Sequence, residues 1–288
     1  MGRVRLLGIG DNVVDRYAGV PPDAGGGTMF PGGNAVNVAV YARRAGADAA
    51  YWGVTGDDPA GEVVREGLRS EGVDTSRMRI AHGPNAWAEI GLENGDRSFK
   101  GSDDGVSVFS LTPEDLRALG SYDLAHTAYS GSLAAQVPQM AAHTSVSFDF
   151  SHHWREPWAP PLLPHLHLAV FSASQLGEEE SVKLLHSATD RGARWALATR
   201  GAEGAVLTDG TGLWRQGAVR TRTVDTLGAG DAFVGTLLGT LLADGDPESG
   251  LADAAEAAAS ACTAYGGFGH GAPFPNSPVP SQAQAGKP

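Results

Sequence analysis

Short apolar segments alternate with helical segments along most of the 288 residues of this chain. Leu124–Ala128 and Trp195–Thr199 are typical of buried strands, and between such segments the apolar residues recur at helical spacing, as over 178–191 and 231–243. Strands that alternate with helices pack as a largely parallel sheet covered by helices. The sequence therefore predicts an α/β fold, a three-layer α/β/α sandwich.

Two stretches interrupt the alternation, at about 16–30 and about 84–104. Both are hairpin-like, and the second contains Asn94-Gly95-Asp96, a typical turn between paired strands. Two β excursions from one α/β core can form a single small sheet over the active face. We therefore predict one domain at 1–272 with these stretches as a lid, followed by a flexible, proline-rich tail at 273–288.

Composition limits the partners and the location. The formal net charge is −12, and the 21 Lys and Arg residues form no basic cluster, which argues against nucleic acid and anionic membranes. Cys262 is the single cysteine, so an intramolecular disulfide is impossible and a reducing compartment is favoured. The N-terminal segment is typical of a first strand, and no apolar run reaches the ~18 residues of a membrane span. We expect a cytoplasmic protein.

The segment TVDTLGAGDAFVG at 223–235 carries the clearest chemical signal. Gly228, Ala229 and Gly230 lead directly into Asp231 at the start of a helical run. N–H groups in the first turn of a helix have no partner within the helix, so small residues there let a phosphate approach. Asp231 can take a proton from a hydroxyl. A phosphate site beside such a base is typical of phosphoryl transfer to an alcohol. The structural alternative is a capping turn in which Asp231 complements the helix dipole.

Two segments resemble the signatures of the ribokinase-like (PfkB-type) carbohydrate kinases. DTLGAGDAF at 225–233 is similar to the C-terminal signature, and GGNAVNVA at 32–39 is similar to the N-terminal one. The resemblance covers about 4–272. It implies a ribokinase-like α/β/α sandwich with a small β-sheet lid and an ATP-dependent kinase that uses Mg²⁺. It also implies that Asp231 is the catalytic base and that Gly228, Ala229 and Gly230 line the anion hole.

The resemblance places the sugar beside the first predicted strand and the glycine-rich helix start. Asp11 corresponds to the family's sugar-hydroxyl carboxylate, and carboxylates and amides supply the acceptors and donors that a polyol needs. For Asn34 the structural alternative is the N-cap of the following helix. The predicted substrate-binding residues are Asp11, Asn12, Gly32, Gly33, Asn34, Asn37 and Arg97.

ATRGAEGAV at 198–206 resembles the family's Thr-x-Gly-x-x-Gly nucleotide turn, with Thr199, Gly201 and Gly204 in matching places. Asp225 and Leu227 match positions at which related kinases bind a monovalent cation, often K⁺. Asp225 could instead cap its turn.

One segment departs from the family. Its Asn-x-x-Glu, used to place Mg²⁺, water and phosphate, corresponds here to FSASQLGEEE at 171–180. Ser174 stands near the place of the asparagine, and Glu178 is one position late. The placement of Mg²⁺ is therefore open, although Mg²⁺ needs few protein ligands. We include Ser174 among the nucleotide-binding residues.

Within the family, several segments resemble the fructoselysine 6-kinases, which phosphorylate the 6-hydroxyl of a glycated amino acid. These segments are GDNVVDRY at 10–17, FPGGNAVNVAVYARRAG at 30–46, WGVTGDDPAG at 52–61 and FDFSHHW at 148–154. A fructosamine carries an amine and, where it is an adduct of an amino acid, a carboxylate, and charged lid residues of both signs can recognise these groups, although a solvated hairpin is the alternative. These charged residues are Glu89, Arg97, Lys100, Asp103 and Asp104.

Two other functions stay open. One is a kinase of the same fold for fructose, ribose, a keto-deoxy sugar acid or a nucleoside, for which Trp87 and Phe99 are candidate stacking residues. The other is a catalytically silent sugar-binding sensor, against which the presence of Asp231 argues. The lid of related kinases often forms a dimer, and the edge of a small sheet is a natural pairing surface, so we expect a homodimer through the lid.

Overall fold

The computed structural model describes residues 3–18, 27–93, 96–243 and 245–274, with only the backbone described at 92–93, 96–99 and 274. The strands are β1 Arg5–Ile9, β2 Val13–Ala18, β3 Gly27–Gly32, β4 Asp48–Trp52, β5 Val54–Gly56, β6 Arg79–Ala81, β7 Trp87–Glu93, β8 Asp96–Asp103, β9 Leu124–Ala128, β10 Ser145–Asp149, β11 Leu168–Ser172, β12 Trp195–Thr199, β13 Ala205–Thr208, β14 Leu213–Gln216 and β15 Ala272–Phe274.

The α-helices of the described ranges lie between these strands. They are α1 Asn34–Arg44, α2 Pro59–Ser70, α3 Pro113–Ala118, α4 Val137–Ala141, α5 Glu178–Asp190, α6 Ala229–Leu242 and α7 Pro247–Ala261. The longest of them has 15 residues. No helix within these ranges has the length and apolar character that a membrane crossing requires.

The central sheet has eight strands in the order β14-β13-β12-β11-β10-β9-β1-β4. The strands from β12 to β4 run parallel, and β13 and β14 are antiparallel additions at one edge. All five residues of β9 are buried, as expected for a parallel sheet that is covered on both faces. The predicted alternation of strands and helices therefore corresponds to a largely parallel sheet.

Two apolar clusters fill the space between this sheet and its helices. One contains Val137 and Met140 of α4 and Leu185 of α5. The other contains Val38 of α1, Leu237 of α6 and, from α7, Leu251. Helices thus cover both faces of the sheet, which gives the three layers that the sequence predicts.

A second sheet has five strands in the order β15-β3-β2-β7-β8. The first predicted excursion supplies β2 and β3, the second supplies β7 and β8, and β2 pairs with β7. The two excursions therefore form one sheet, as predicted. Strand β15 pairs with β3 and crosses the expected boundary between 272 and the tail, so the lid sheet also contains a C-terminal strand.

Candidate active site

A cleft of about 600 Å³ lies between the carboxyl ends of the central strands and the lid sheet. Ligands of open α/β sheets bind at such strand ends. Its walls include residues that follow β1 and β9, the last residue of β10, and residues of β7 and β8. The predicted site residues that line it are Asp11, Asn12, Gly33, Asn34, Asn37, Leu227, Gly230 and Asp231.

Asp231 lies in the first turn of α6 and lines the cleft. The helix is capped by Gly228, whose φ of 74° is left-handed, and a Cβ there would lie 2.7 Å from the Cα of Gly267. The N–H of Ala229 donates to the carbonyl of Thr226 at 3.3 Å. A Cβ built on Gly230 would meet nothing within 4 Å, so the backbone at Gly230 is open to a close ligand.

Both carboxylate oxygens of Asp231 accept a side-chain amide. Asn34 Nδ2 donates to Oδ1 at 2.8 Å, and Asn37 Nδ2 donates to Oδ2 at 2.6 Å. Burial raises the pKa of Asp231 to about 7, and the charges of Asp149 and Asp11 add to the rise, while the two amides oppose it. A carboxylate with this pKa can accept a proton near neutral pH and holds it more firmly than an ordinary aspartate.

Asn34 is the first residue of α1, and the reading of Asn34 as an N-cap is wrong. The cap is Gly33, which has a φ of 104° and no side-chain hydrogen bond to the helix. The amide of Asn34 points across the cleft instead, where its Nδ2 also donates to Asp149 Oδ2 at 2.9 Å. Its Oδ1 lies 2.7 Å from His126 Nε2. One amide therefore joins two carboxylates.

Asp149 and His126 belong to this group, although neither is among the site residues predicted from the sequence. Burial raises the pKa of Asp149 to about 6, and the N–H of Ser151 donates to its Oδ1 at 2.7 Å. Asp149 is the last residue of β10 and belongs to the segment FDFSHHW, whose resemblance to the fructoselysine 6-kinases is the only signal that the sequence offers for it. No motif marks His126, because its role depends on the pairing of β9 with β10, which brings it opposite Ser147.

Asp11 and Asn12 follow β1 but have different surroundings. Asp11 Oδ2 accepts the Ser130 hydroxyl at 2.9 Å, whereas its buried Oδ1 has no hydrogen-bond partner among the described residues. Burial raises the pKa of Asp11, while the Ser130 hydroxyl and the backbone N–H groups of Ala35 and Asn34 oppose the rise. The Nδ2 of Asn12 donates to the carbonyl of Val54 at 2.7 Å, so this nitrogen supports the fold rather than facing a ligand.

The predicted nucleotide residues lie beside one another but outside the 600 Å³ cleft. Thr199 ends β12, and a short 3-10 turn begins at Gly201 and is followed by Gly204, with φ values of 57° and 84° at these two glycines. A Cβ built on Gly201 would lie 3.8 Å from the Cβ of Ser174, so the structure brings these two together. Gly32 also lies outside the lining, and the side chain of Arg97 lies outside the described residues.

Glu178 bears on the placement of Mg²⁺. Its Oε1 accepts Arg215 Nε at 2.7 Å, and its Oε2 lies 3.9 Å from Arg200 Nη1. The carboxylate that departs from the family's spacing is therefore engaged with two guanidinium groups. Within the described ranges, no three or more His, Cys, Asp or Glu residues are grouped so that they could hold a metal ion.

Asp225, at the proposed cation position, connects the lid to the turn before α6. It is buried, and its Oδ2 accepts the Tyr17 hydroxyl at 2.6 Å and the Gly266 N–H at 3.1 Å. Its Oδ1 accepts the N–H of Leu227 at 3.0 Å. The side chain thus holds the turn as the capping alternative predicts, and it also binds strand β2 of the lid.

Comparisons with known proteins agree with this arrangement. The pattern of the pfkB family carbohydrate kinases matches residues 9–146 and 162–273. Fructosamine kinase FrlD of Bacillus subtilis is 37% identical over 276 residues, which are 94% of this chain and 95% of that protein. Fructoselysine 6-kinase of Escherichia coli is 38% identical over 236 residues, 81% of this chain and 87% of that protein.

Among solved structures, Arabidopsis thaliana ribokinase complexed with ribose and ATP superimposes with a TM-score of 0.79 at 19% sequence identity. The match covers 93% of this chain and 95% of that chain. The likeness confirms the predicted ribokinase-like sandwich with its β-sheet lid.

Proposed function

The chain belongs to the pfkB family of carbohydrate kinases, and we propose that it transfers the γ-phosphoryl group of ATP to the 6-hydroxyl of a fructosamine, with Asp231 as general base. The observation that carries the proposal is the environment of Asp231. This carboxylate is held by two amides, has a pKa raised to about 7 and stands beside the open backbone of Gly230. These are the properties needed to deprotonate an alcohol next to a phosphate site.

In the proposed reaction the 6-oxygen of the sugar attacks the γ-phosphorus as its proton passes to Asp231. The new O–P bond forms while the bond to the β-phosphate oxygen breaks, and ADP leaves. The N–H groups at the start of α6 stabilise the charge on the transferring group. Mg²⁺, when bound with ATP, neutralises part of the phosphate charge. Glu178 is engaged with two arginines and takes no part in the proposed reaction.

Asp11 is the proposed sugar anchor. The backbone N–H groups of Asn34 and Ala35 and the Ser130 hydroxyl stabilise its charge, but its buried Oδ1 has no donor in hydrogen-bond geometry among the described residues, which leaves it available to a ligand. A sugar hydroxyl is a suitable donor. The other proposed sugar-side residues are Asn12, Gly32, Gly33, Asn34, Asn37 and Arg97, the proposed nucleotide residues are Thr199, Gly201, Gly204 and Ser174, and the proposed K⁺ position is at Asp225 and Leu227.

The charge of the cleft supports a fructosamine over other sugars. No Lys or Arg is among the lining residues that the structure describes. Six aspartates line the cleft: Asp11, Asp15, Asp103, Asp104, Asp149 and Asp231. Such a cleft attracts the protonated amine that a fructosamine carries and a keto-deoxy sugar acid lacks. Fructose and ribose are uncharged, so the negative charge of the cleft does not attract them. The two relatives named above as kinases of fructosamine and fructoselysine support the same choice.

A nucleoside is less well supported. Trp87 lines the cleft, but the guanidinium carbon of Arg16 lies 4.6 Å from the centroid of its ring and occupies one face. Stacking of a base would be restricted to the other face. The side chain of Phe99, the second aromatic candidate, lies outside the described residues.

The test is an ADP-release assay of the purified protein with Mg-ATP and K⁺. The panel contains fructoselysine, a second fructosamine, fructose, ribose, a keto-deoxy acid and adenosine, and NMR of the product identifies the phosphorylated hydroxyl. Turnover confined to fructosamines, with the phosphate on O6, supports the proposal. Turnover on fructose or ribose instead would contradict the proposed fructosamine substrate. Sugar binding without turnover favours the silent sensor.

We also propose a homodimer formed through the lid. Strand β8 is an edge of the lid sheet, so its outer backbone groups have no strand partner within the described chain. Light scattering after size-exclusion chromatography measures the mass directly, and a monomer at assay concentrations contradicts the proposal. A cytoplasmic location is proposed from the lone cysteine, which fits a reducing compartment.

A further inference from the structure

A buried histidine lies directly behind the amide that joins the two carboxylates. His126 is on β9 and has no exposed surface. Its Nδ1 lies 3.0 Å from the hydroxyl oxygen of Ser147 on β10, and its Nε2 lies 2.7 Å from Oδ1 of Asn34 on α1. The ring is therefore clamped between a hydroxyl and an amide oxygen.

The chemistry of these partners determines which nitrogen carries the proton. An amide oxygen can only accept, so Nε2–H must donate to Asn34, and Nδ1 must accept from the Ser147 hydroxyl. Burial lowers the pKa of His126 to about 3, so the ring is neutral at physiological pH and carries a single N–H. The clamp thus selects one tautomer.

The same donor adds a third contact to the two that orient the Asn34 amide. A 180° rotation of that amide would turn its oxygen toward Asp149 and Asp231 and its nitrogen toward the N–H of the ring, so three favourable contacts would become unfavourable. In the observed orientation both hydrogens of Nδ2 are used, one on each carboxylate. Without a donor behind the amide, only the two contacts to the carboxylates would orient it, and its oxygen would have no partner to fix its position.

We infer that His126 is a positioning residue for the phosphoryl transfer: through the Asn34 amide it holds Asp231 and Asp149 in their working geometry. This inference rests on the proposed role of Asp231 as the base. His126 touches neither carboxylate, so it acts through Asn34 alone.

The effect should appear in the titration of Asp231. The groups that face this carboxylate are Asn34 and Asn37 of α1, Asp149 of β10 and Asp11 after β1, and its charge also acts on Tyr41 and Tyr129. The Asn34 amide lowers the pKa of Asp231 against the larger effect of burial. An amide that is less firmly held would donate less well to Asp231, so the pKa of Asp231 would rise further.

Two substitutions of His126 differ in the nitrogen that they keep. His126→Gln can place an amide nitrogen near the position of Nε2 and still donate to Asn34, whereas His126→Asn reaches only the position of Nδ1. For His126→Asn we expect kcat to fall about tenfold and the acid limb of the pH–rate profile to move up by about half to one pH unit, with the KM for ATP unchanged. His126→Gln should keep the wild-type acid limb.

Leu124→Ala is the matched control for a cavity in the same strand. Leu124 lies two positions before His126 on β9, is fully buried and takes no part in the hydrogen-bond chain. It should lower the thermal midpoint without moving the acid limb. The inference is overturned if His126→Asn keeps the wild-type limb, or if Leu124→Ala or His126→Gln moves it as far as His126→Asn does.

A second measurement does not require activity. Long-range ¹H–¹⁵N NMR of histidine-labelled protein should show His126 as the Nε2–H tautomer, unchanged from pH 5 to pH 8, and His126→Gln identifies its signal by removal. An Nδ1–H tautomer, or titration in that range, would overturn the inference. A protein inactive on every sugar but with the expected tautomer would instead refute the proposed function alone.

Discussion

The side-chain nitrogen of Asn37 lies 2.6 Å from Oδ2 of Asp231, although 194 positions separate the two residues. The contact is charge-assisted whenever Asp231 is ionised and stabilises that form, whereas burial destabilises it. Burial is the larger effect, so the pKa of Asp231 stands at about 7 against an ordinary 3.8. The amides thus keep a buried carboxylate ionisable near neutral pH, which suits a general base.

Replacement of the base should separate chemistry from binding. For Asp231→Asn we expect kcat to fall by at least about 10²-fold, because no group remains to accept the proton of the 6-hydroxyl. The affinity for the fructosamine, measured by titration calorimetry, should change little, because Asp11 is the proposed anchor. Asp253→Asn, at an exposed position of α7, is the control that should keep full activity. A nearly active Asp231→Asn enzyme would refute the assignment of the base.

The pH dependence of kcat/KM follows from the same carboxylate. Asp231 must be ionised to accept a proton, and its pKa in the free enzyme is about 7. Activity should therefore rise with pH through about 7 and fall roughly tenfold for each pH unit below it. Steady-state rates between pH 5.5 and 9 in buffers of constant ionic strength measure this limb. A flat profile from pH 6 to pH 8 would show that another group controls the reaction.

Asp231 should also lower the free energy of unfolding near neutral pH. The pKa of Asp231 is about 7 in the folded protein and an ordinary 3.8 in the unfolded chain. Between these two pH values the unfolded chain releases the proton more readily, so the free energy of unfolding of the wild type falls as the pH rises toward about 7. Asp231→Asn removes this penalty. The free energy of unfolding of Asp231→Asn, relative to that of the wild type, should therefore grow by about 2 kcal/mol between pH 5 and pH 7 and stay nearly constant above pH 7. Denaturant unfolding measures it, and the exposed Asp253→Asn should show no such trend.

Local signals in the sequence were sufficient for the fold and for part of the site. The alternation of strands and helices predicts the covered sheet, and the small residues before Asp231 predict an open helix start, because both depend on neighbours in the chain. The interruptions at 16–30 and 84–104 predict the lid sheet. Its fifth strand, β15, carries no such signal, since three residues at a proline-rich terminus show no periodicity.

The partners within the site were not predictable in this way. Asn34 reads as a sugar ligand or an N-cap, but its amide contacts Asp149 and Asp231, which lie 115 and 197 positions away. Those contacts depend on the order of strands in the sheet. The same holds for His126, whose partner Ser147 is set by the pairing of β9 with β10.

The hydrogen bond between Tyr17 and Asp225 should couple the lid to the turn before α6. Tyr17→Phe keeps the ring, which packs edge-on against Phe30 at a centroid distance of 5.5 Å, and removes a 2.6 Å bond to a buried carboxylate. We expect a loss of about 1.5–3 kcal/mol in free energy of unfolding and a lower kcat/KM. Tyr265→Phe, whose ring also packs against Tyr17, is the control. Unchanged stability and kinetics in Tyr17→Phe would contradict the coupling.

Asp104 at the rim of the cleft should contribute to the choice of a cationic substrate. It is exposed and lines the cleft, so its charge acts on an approaching amine through water. Two unit charges 4 Å apart in water attract by about 1 kcal/mol, so Asp104→Asn should raise the KM for a fructosamine about fivefold. The KM for fructose, which has no amine, should not change. Glu114→Gln on α3 removes an equally exposed charge outside the lining and should affect neither substrate.

Ionic strength distinguishes this electrostatic effect from a change in lid structure. Screening by salt weakens the attraction between exposed charges, so the difference in KM between wild type and Asp104→Asn should shrink between 0.02 and 0.5 M added salt, about the range over which the Debye length falls from tens of ångströms to a few. A salt-independent difference, or an equal rise of KM for fructose, would mean that Asp104 supports the lid rather than attracting the amine.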